Sequence, residues 1–236
     1  MKTLIVGDVH GEFGRLNILI NKEKPDIILQ CGDFGWFPKD HGSFWIGSTG
    51  KRHIWDQYCL KNSNTKIYWC DGNHEDHEDL EIRRNGGDSK EVMSNVFYQP
   101  RRSYITLPDG KTVLFMGGAY SVDNKFRTAG RDWFPHLESI SRQDVENLPD
   151  IKVDIVISHS CPRSFHTRIT NMCDPYWYEM GKRDGTPDAL QIVLDKYRPE
   201  QWFFGHFHLF KRSKDKGCHW TALSDIMSSK RWWIEL

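Results

Sequence analysis

The sequence has no long apolar run and no excess of charge of either sign. None of its hydrophobic segments approaches the roughly 18 consecutive apolar residues that a membrane-spanning helix needs. Lysine plus arginine equals aspartate plus glutamate at 32 each, so an overall basic field for nucleic acid is missing, although a local basic rim is compatible with this balance. The N-terminus also lacks the charged and apolar stretches of a signal peptide. We therefore expect a cytoplasmic protein without membrane contact.

Paired C-x-x-C spacing is absent among the six cysteines. Cys31 and Cys70 close apolar runs as small buried thiols do, which argues against a disulfide framework. An alternative zinc site of Cys161, His166 and Cys173 has a spacing that matches no standard finger or ribbon. Repeats, low-complexity stretches and linkers are also missing, so we expect a single domain over residues 1–236.

Five short apolar runs, each typical of a strand buried on both faces, are followed by chemically active residues. The runs are residues 4–6, 27–29, 66–69, 155–157 and 202–204. The strings at their ends are Asp8-Val9-His10, Gly32-Asp33, Gly72-Asn73-His74-Glu75, Ser158-His159 and Gly205-His206-Phe207-His208. Because loops at the carboxyl ends of neighbouring strands converge on one crevice in an open α/β sheet, the pattern predicts one shared pocket. Its oxygen and nitrogen donors outline a binuclear metal site.

Each string alone has an ordinary structural explanation. Asp8 could cap the helix that starts near Gly11, and Gly32-Asp33 is a common turn pair. His206 and His208 lie two residues apart and would point the same way on an extended segment, although backbone carbonyls could equally satisfy them. The ordered set of all five strings is what indicates a metal site.

The series Asp-x-His, Gly-Asp, Gly-Asn-His-Glu, His and Gly-His-x-His resembles the calcineurin-like metallophosphoesterases, from Asp8 to His208. The resemblance implies one metal ion held by Asp8, His10, Asp33 and His208. It implies a second ion held by Asp33, Asn73, His159 and His206, with Asp33 bridging the two. It also implies that His74 is not a ligand but faces the substrate.

The chemistry of phosphate esters explains these residue types. The ester is negatively charged and repels hydroxide, so two cations about 3.5–4 Å apart both generate a bridging hydroxide and neutralise the phosphoryl oxygens. Mixed imidazole and carboxylate ligation suits Mn, Fe, Zn or Ni better than Ca, and we expect two divalent ions, with Mn first and Mg also compatible. The reaction would be in-line attack of the bridging hydroxide, with a protonated His74 assisting the leaving oxygen.

One position departs from the family pattern. Many members carry a second aspartate three residues after the Gly-Asp aspartate, where it orients the histidine of Gly-Asn-His-Glu, but this chain has Trp36 there. Another acid would have to support His74, or its role would be weaker. The sequence does not rank the four candidates, Asp40, Asp71, Glu75 and Asp76. The string Gly-Asp-x-x-Asp-Arg-Gly of the protein serine/threonine phosphatases is also absent.

The remaining pattern predicts the fold. Residues 11–23 read as a helix that ends before Pro25, and residues 52–61 as a second helix. The first helix would turn inward its apolar residues Leu16, Ile18, Leu19 and Ile20. Asp109-Gly110 between two apolar runs predicts a hairpin that opens the second half. Two such halves, packed sheet on sheet with helices outside, would form a four-layer α/β/β/α sandwich of two mixed sheets, which the resemblance also implies.

Two segments are candidates for substrate contact. Residues 117–123 are rich in glycine and could bring backbone amides to a phosphate with Arg127 and Arg131 behind them, or simply form a turn with solvated arginines. Asn73 is a further candidate contact. Residues 160–186 could form a lid or wall, or pack onto the domain. Their polar and aromatic residues are Arg163, His166, Arg168, Tyr176, Trp177 and Tyr178.

Three functions fit the sequence. The first is a metal-dependent phosphoesterase that hydrolyses a monoester or diester of a small metabolite or nucleotide. The second is a nuclease on single-stranded nucleic acid, which calls for a stronger basic groove than the scattered Arg83, Arg84, Arg101 and Arg102 suggest. The third is a metal-binding interaction scaffold of low activity, against which the complete ligand set argues.

Overall fold

Two six-stranded sheets face each other in the computed structural model, which describes residues 1–38, 43–46, 51–54, 63–86, 90–169 and 184–236. The first sheet contains β1 (Thr3–Val6), β2 (Ile27–Gln30), β5 (Lys66–Trp69), β6 (Glu91–Met93), β7 (Val96–Tyr98) and β14 (Trp233–Glu235). The second contains β8 (Tyr104–Thr106), β9 (Thr112–Met116), β10 (Ile155–Ser158), β11 (Gln201–Phe204), β12 (Lys211–Asp215) and β13 (Cys218–Ala222). A separate antiparallel pair is formed by β3 (Ser43–Ile46) and β4 (Lys51–Ile54).

Both sheets are parallel in the middle and antiparallel at their edges. The strand order of the first is β14-β1-β2-β5-β7-β6, in which β14 and β6 are the antiparallel strands. The order of the second is β12-β13-β11-β10-β9-β8, in which β12 and β8 are antiparallel. The carboxyl ends of the four central strands of each sheet therefore lie along a single edge, as the predicted pocket requires.

Helices cover the outer face of each sheet. The first sheet packs against α1 (Phe13–Glu23) and α2 (His77–Arg84), and the second against α3 (Gln143–Glu146), α4 (Arg163–Ile169) and α5 (Thr186–Tyr197). Strand alternation assigns each side chain to a layer: Leu4 and Val6 join the helix-covered cluster, whereas Ile5 joins the cluster between the sheets. The four-layer α/β/β/α sandwich is thus confirmed.

The first helix differs from its prediction in its start and in one side chain. It begins at Phe13, and Leu16, Leu19 and Ile20 are buried as expected. Ile18, however, is 67% exposed. Two residues along a helix correspond to a rotation of roughly 200°, so Ile18 lies almost opposite Leu16. Phe13, one turn before Leu16, is buried instead.

The second predicted helix is wrong where it can be compared. Residues 52–54 belong to β4, which pairs with β3, while residues 55–61 lie outside the described part of the chain. Cross-strand pairing outweighs helical propensity here. The hairpin prediction is confirmed: β8 and β9 are antiparallel, and Gly110 takes a left-handed conformation with φ of 88° in the turn.

The segment predicted as a lid is only partly described. Its helix α4 buries Phe165 and Ile169 in the outer core of the second sheet. Residues 170–183, which include Cys173 and the aromatic cluster at 176–178, lie outside the described residues. The lid and the alternative zinc site therefore stay predictions. Among the described residues, no helix combines the length and apolarity that crossing a bilayer requires.

Candidate metal centre

The predicted ligands converge at the carboxyl edges of the two sheets. Asp8, Asp33 and Asn73 follow β1, β2 and β5 of the first sheet, while His159 and His206 follow β10 and β11 of the second. Three groups of side chains each bring their donor atoms within 4.8 Å of one another. These groups are Asp8, His10 and His208; His10, Asp33 and His74; and Asp8, Asp33 and His159.

Asp33 lies at the centre of this arrangement. Its Oδ1 accepts hydrogen bonds from the backbone N–H groups of Asn73 and His74, both at 2.8 Å, and is 3.3 Å from Nε2 of His159. Its Oδ2 faces the other way, 3.7 Å from Nε2 of His10 and 3.9 Å from Nε2 of His74. The two carboxylate oxygens thus face two different groups of imidazoles.

Hydrogen bonds to residues outside the ligand set fix the orientation of the Asn73 and His159 side chains. His159 Nδ1 donates a hydrogen bond to the carbonyl oxygen of Cys31 at 2.8 Å, which directs Nε2 into the site. The Asn73 amide is oriented by donation from Nδ2 to Ser121 Oγ at 3.3 Å. Its Oδ1 consequently points inward, 3.2 Å from His159 Nε2 and 3.1 Å from His206 Nδ1.

Asp8, His10 and His208 form the more open part of the centre. His208 Nε2 lies 3.1 Å from Asp8 Oδ2 and 3.3 Å from His10 Nε2. The expected extended conformation of the histidine pair is wrong, because His206 and His208 both adopt left-handed backbone angles, with φ of 67° and 48°. The two rings nevertheless enter the same site, because the loop turns each one inward separately.

The charges of the centre fit cation binding. Burial opposes ionisation of Asp33, but the neighbouring His159 and His74 hold the pKa of that carboxyl well below its usual range. Burial lowers the pKa of His10 and His206, which favours neutral imidazoles. Burial acts in the same direction on His159, but Asp33 outweighs it and raises the pKa of His159 to about 10. The buried carboxylates and the neutral His10 and His206 are donors that first-row divalent ions prefer, whereas a cation at His159 would have to displace the proton that this ring shares with Asp33.

Two glycines permit this close assembly. A Cβ on Gly205 would lie 1.9 Å from Asp8 Oδ1, and a Cβ on Gly72 would lie 2.1 Å from Asp33 Oδ1. Any larger residue would therefore displace a carboxylate or the loop that carries it. The glycines of these two strings serve the site by leaving room for its ligands.

His74 has a guanidinium neighbour in this structure. Arg127 donates to Nε2 of His74 and, at 3.0 Å, to the carbonyl oxygen of Asn73, while also pairing with Asp123 at 2.7 Å. Burial, reinforced by Arg127, holds the pKa of His74 well below its usual range. Trp36, at the position of the missing aspartate, is buried and donates through Nε1 to Asp79 at 2.7 Å.

The acids considered as partners of His74 form other contacts, where the structure describes them. Glu75 accepts hydrogen bonds from the backbone N–H groups of Phe34 and Gly72, at 2.6 and 2.9 Å. Asp71 pairs with the buried Arg101 at 2.7 Å, and Asp76 caps α2 by accepting from the N–H of Asp79. Asp40 lies outside the described residues.

The glycine-rich segment and Arg131 have a different environment from Arg127. The N–H groups of Gly118 and Ala119 donate to the carbonyl oxygens of Asp71 and Glu138, at 2.7 and 3.0 Å, which favours the turn over the phosphate-binding alternative. Arg131 is exposed, and no contact joins its side chain to the ligands within the described ranges. Arg127 is the predicted substrate residue that the fold brings beside His74.

The supporting roles of three residues were not predicted from the sequence. Ser121 orients Asn73, and Glu75 holds the loop that carries Asp33. The Asp225 carboxylate lies 3.7 Å from His208 Nδ1. Glu75 was considered only as a partner of His74, and Ser121 only as part of the glycine-rich segment. Asp225 carries no local signal, since it reaches His208 from the end of another strand.

The carboxylates and imidazoles form a candidate metal site at the carboxyl edge of a double-sheet sandwich. A model of the calcineurin-like phosphoesterase family matches residues 1–210. The chain belongs to the calcineurin-like phosphoesterases, a family that hydrolyses phosphoesters with divalent metal ions.

Known proteins are similar to this chain in sequence or in fold. A lariat debranching enzyme of Schizosaccharomyces pombe is 27% identical over 226 residues, covering 88% of this chain and 48% of the relative. The chain thus spans about half the length of that curated relative. The fold is shared with the phosphopantetheinyl hydrolase of Mycobacterium tuberculosis, with a TM-score of 0.57, 12% identity and coverage of 100% and 96%. It is also shared with the protein TT1561 of Thermus thermophilus, with a TM-score of 0.51, 10% identity and coverage of 95% and 89%.

Proposed function

We propose that this protein is a binuclear metal-dependent phosphoesterase. The observation that carries the proposal is the position of Asp33, whose Oδ1 faces His159 and whose Oδ2 faces His10. The inner set, defined as Asp33, Asn73, His159 and His206, would hold one ion. The outer set, defined as Asp8, His10 and His208 together with Asp33, would hold the other. When bound, such a pair of ions supplies an activated water at neutral pH and neutralises the phosphoryl oxygens.

The protein's own side chains would prepare the ester for cleavage. Arg127 offers a fixed positive charge beside His74 and would attract the phosphoryl group. The lowered pKa of His74 argues against the protonated ring expected from the sequence. With Nε2 accepting from Arg127, a neutral His74 would hydrogen-bond the leaving oxygen through Nδ1–H as negative charge develops there. Because the neighbour of His74 is a guanidinium and not a carboxylate, the pair would stabilise charge jointly.

Hydrolysis of activated aryl phosphates tests this function. After chelation the protein should be inactive, and Mn should restore hydrolysis of bis(p-nitrophenyl) phosphate or p-nitrophenyl phosphate with about two ions bound per chain by elemental analysis. Fe, Zn, Ni and Mg serve as comparisons. Inactivity with all five metals, together with retained ion binding, would favour the interaction scaffold instead. Manganese as the ion in the cell and a cytoplasmic location stay predictions from the sequence.

The role of His74 has a separate test. His74→Ala should leave the metal content nearly unchanged but slow esters with poor leaving groups most, by about 100-fold or more, since general acid and oxyanion contributions are typically of that size. The measurement is kcat for a series of aryl phosphates of increasing leaving-group pKa. Equal slowing across the series would remove His74 from the leaving-group side and assign it to binding.

A diester in nucleic acid is the second candidate substrate. The sequence relative is named a lariat debranching enzyme, and a lariat is a branched nucleic acid, so that name describes a phosphodiesterase. Three of the four arginines first considered for a nuclease are already paired: Arg101 is buried against Asp71, and Arg83 and Arg84 pair with Asp79 and Glu81 on α2. Arg102 by itself does not make a basic groove. Support for a nucleic-acid substrate must therefore come from another surface.

A further inference from the structure

A cavity of about 630 Å³ opens where the antiparallel edge strands β12 and β14 lie on the same side of the two sheets. Its lining residues are Arg212, Ser229, Lys230, Arg231, Trp232, Trp233, Ile234 and Glu235. We call this the edge groove. It combines three cations and two indoles with a single carboxylate, a composition found nowhere in the predicted site.

The cations of the edge groove have no acidic partners. Arg212, Lys230 and Arg231 are all exposed, and within the described residues none of their side chains forms an ion pair, including with Glu235 of the lining. Some exposed cations elsewhere are matched, as in the pairs of Arg163 with Asp188 and Lys216 with Asp195, both at 2.8 Å. Three unmatched charges in one concave surface create a local field that attracts an anion.

Two of these charges converge on one ring. The guanidinium carbons of Arg212 and Arg231 lie 5.5 and 5.2 Å from the centroid of Phe210. The ring face attracts each cation, but the two like charges repel one another. A bound phosphate would offset this concentration of positive charge and could accept hydrogen bonds from a guanidinium.

Aromatic side chains complete the groove. Trp232 and Trp233 are half-buried: each packs partly on the core of the first sheet and leaves the rest of its indole in the groove. An indole beside arginines is the arrangement that stacks nucleobases while cations follow the phosphate backbone. A lipid headgroup or an acidic peptide would use the charges but not the flat aromatic surfaces.

Backbone hydrogen bonds join the segment that lines the edge groove to the end of β1, which carries Asp8. The Gly7 N–H donates to the Trp232 carbonyl oxygen at 2.7 Å, so Trp232 lies beside the residue that precedes Asp8. The Ile226 N–H donates to the Asp8 carbonyl oxygen at 2.8 Å. The same loop places Asp225 against His208. A chain lying in the groove would therefore lead toward the outer set.

From this geometry we propose that the edge groove binds the single-stranded nucleic acid that flanks the scissile phosphodiester. The phosphates would contact Arg212, Lys230 and Arg231, and the bases would stack on Trp232 and Trp233. This inference rests on the proposed phosphoesterase function and gives it a substrate class. The substrate would then be a nucleic-acid chain and not a small phosphorylated metabolite.

Binding of a labelled single-stranded oligonucleotide tests the edge groove. The triple variant Arg212→Ala, Lys230→Ala, Arg231→Ala should bind on the order of 30-fold more weakly at low salt, and the slope of log K against log[salt] should decrease by about 2, as expected for three phosphate contacts on a single strand. Binding is measured by fluorescence anisotropy with chelator present, so that cleavage does not interfere. All three side chains are exposed, so the variant should keep the wild-type melting temperature.

Two variants serve as matched controls. Lys22→Ala, Arg142→Ala, Lys152→Ala removes the same number of charges from side chains that are 76%, 88% and 83% exposed on other surfaces, and should bind like wild type. Arg212→Lys, Lys230→Arg, Arg231→Lys keeps every charge and should retain most of the affinity. Inorganic polyphosphate of equal charge should compete at least about 10-fold less well than the oligonucleotide, since it offers no base to stack.

The outcomes separate this inference from the proposed function. With Mn, the groove variant should hydrolyse bis(p-nitrophenyl) phosphate like wild type while its kcat/KM on the oligonucleotide falls. Wild type that does not bind the oligonucleotide, equal loss in both alanine triples, or equal competition by polyphosphate would each overturn the inference and leave aryl ester hydrolysis intact. Absence of aryl ester hydrolysis in wild type would instead remove the proposed function.

Discussion

The inner and outer ligand sets differ in how firmly the fold holds them. In the inner set, Asp33, Asn73 and His159 are almost completely buried, and His159 and Asn73 are bonded from behind by Cys31 and Ser121. In the outer set, the side chain of His208 is 51% exposed and that of His10 is 17% exposed. Asp8 and the shared Asp33 are buried as well, while His206 of the inner set is partly exposed. The two sets therefore differ in Asn73 and His159, which lie in the core, against His10 and His208, which reach solvent.

This difference indicates that the inner set is rigid, whereas the outer set can adjust its position. Side chains whose second ring nitrogen or amide is already bonded have little freedom left, so they present their donors in a fixed geometry. An exposed imidazole can move to admit water or substrate. We therefore expect the inner set to bind its ion more tightly and the outer set to be the one that meets the ester.

The largest effect should follow from removing the charge that both sets share. Asp33→Asn keeps an oxygen that can accept from the backbone N–H groups of Asn73 and His74, so the fold should persist. Activity should fall by about 100- to 1,000-fold, and both ions should be lost together. Metal content per chain and kcat on an aryl diester measure this, with the exposed Asp109→Asn as control. Loss of a single ion would show that Asp33 does not bridge.

Removing one histidine from each set tests whether the fold holds the inner set more firmly than the outer set. His159→Ala removes a buried ring and leaves the Cys31 carbonyl without its donor, so it should destabilise folding by about 2 kcal/mol and lower the melting temperature by about 4–8 °C. His208→Ala should destabilise less, by about 1 kcal/mol or below, because its side chain is half exposed and solvent screens its pairing with Asp8. Calorimetry of the metal-free proteins measures both. Equal destabilisation would contradict the division into inner and outer sets.

The smallest effect concerns the serine behind Asn73. Ser121→Ala removes the acceptor that fixes the Asn73 amide, so the inner ion should bind about 10-fold more weakly while the melting temperature of the metal-free protein changes little. Ser164→Ala is the control, because the Ser164 hydroxyl is buried without a hydrogen-bond partner among the described residues. Competition with a chelator gives the affinities. An unchanged inner-ion affinity would show that Asn73 is oriented without Ser121.

Much of the fold could be predicted because its strands are short, apolar and end in recognisable strings. The burial of β1 on both faces and the hairpin at Gly110 follow from local patterns alone. The second helix prediction failed because the choice between helix and strand at residues 52–54 depends on pairing with β3, which lies elsewhere in the chain. Ile18 was misassigned because apolar character was counted without regard to helical phase.

The sequence identified which residues could donate to a metal ion, but it did not reveal the contacts around them. His206 and His208 were identified although their backbone is left-handed instead of extended. The partner of His74 could not be predicted, since Arg127 is 53 residues away and reaches it from the second half of the chain. The edge groove was also missed, although Lys230, Arg231, Trp232 and Trp233 stand together in the sequence. Its third cation, Arg212, joins them only through the packing of two sheet edges.

The sequence by itself determined the kind of chemistry, since carboxylate, amide and imidazole donors after five strands have few uses other than holding cations. Only the tertiary structure decided which donors are buried, which are open to solvent, and which cations lie unpaired beside the site. The physical reason is that donor identity is a property of each residue, whereas burial, charge pairing and orientation arise from contacts between distant segments that only the stacked sheets bring together.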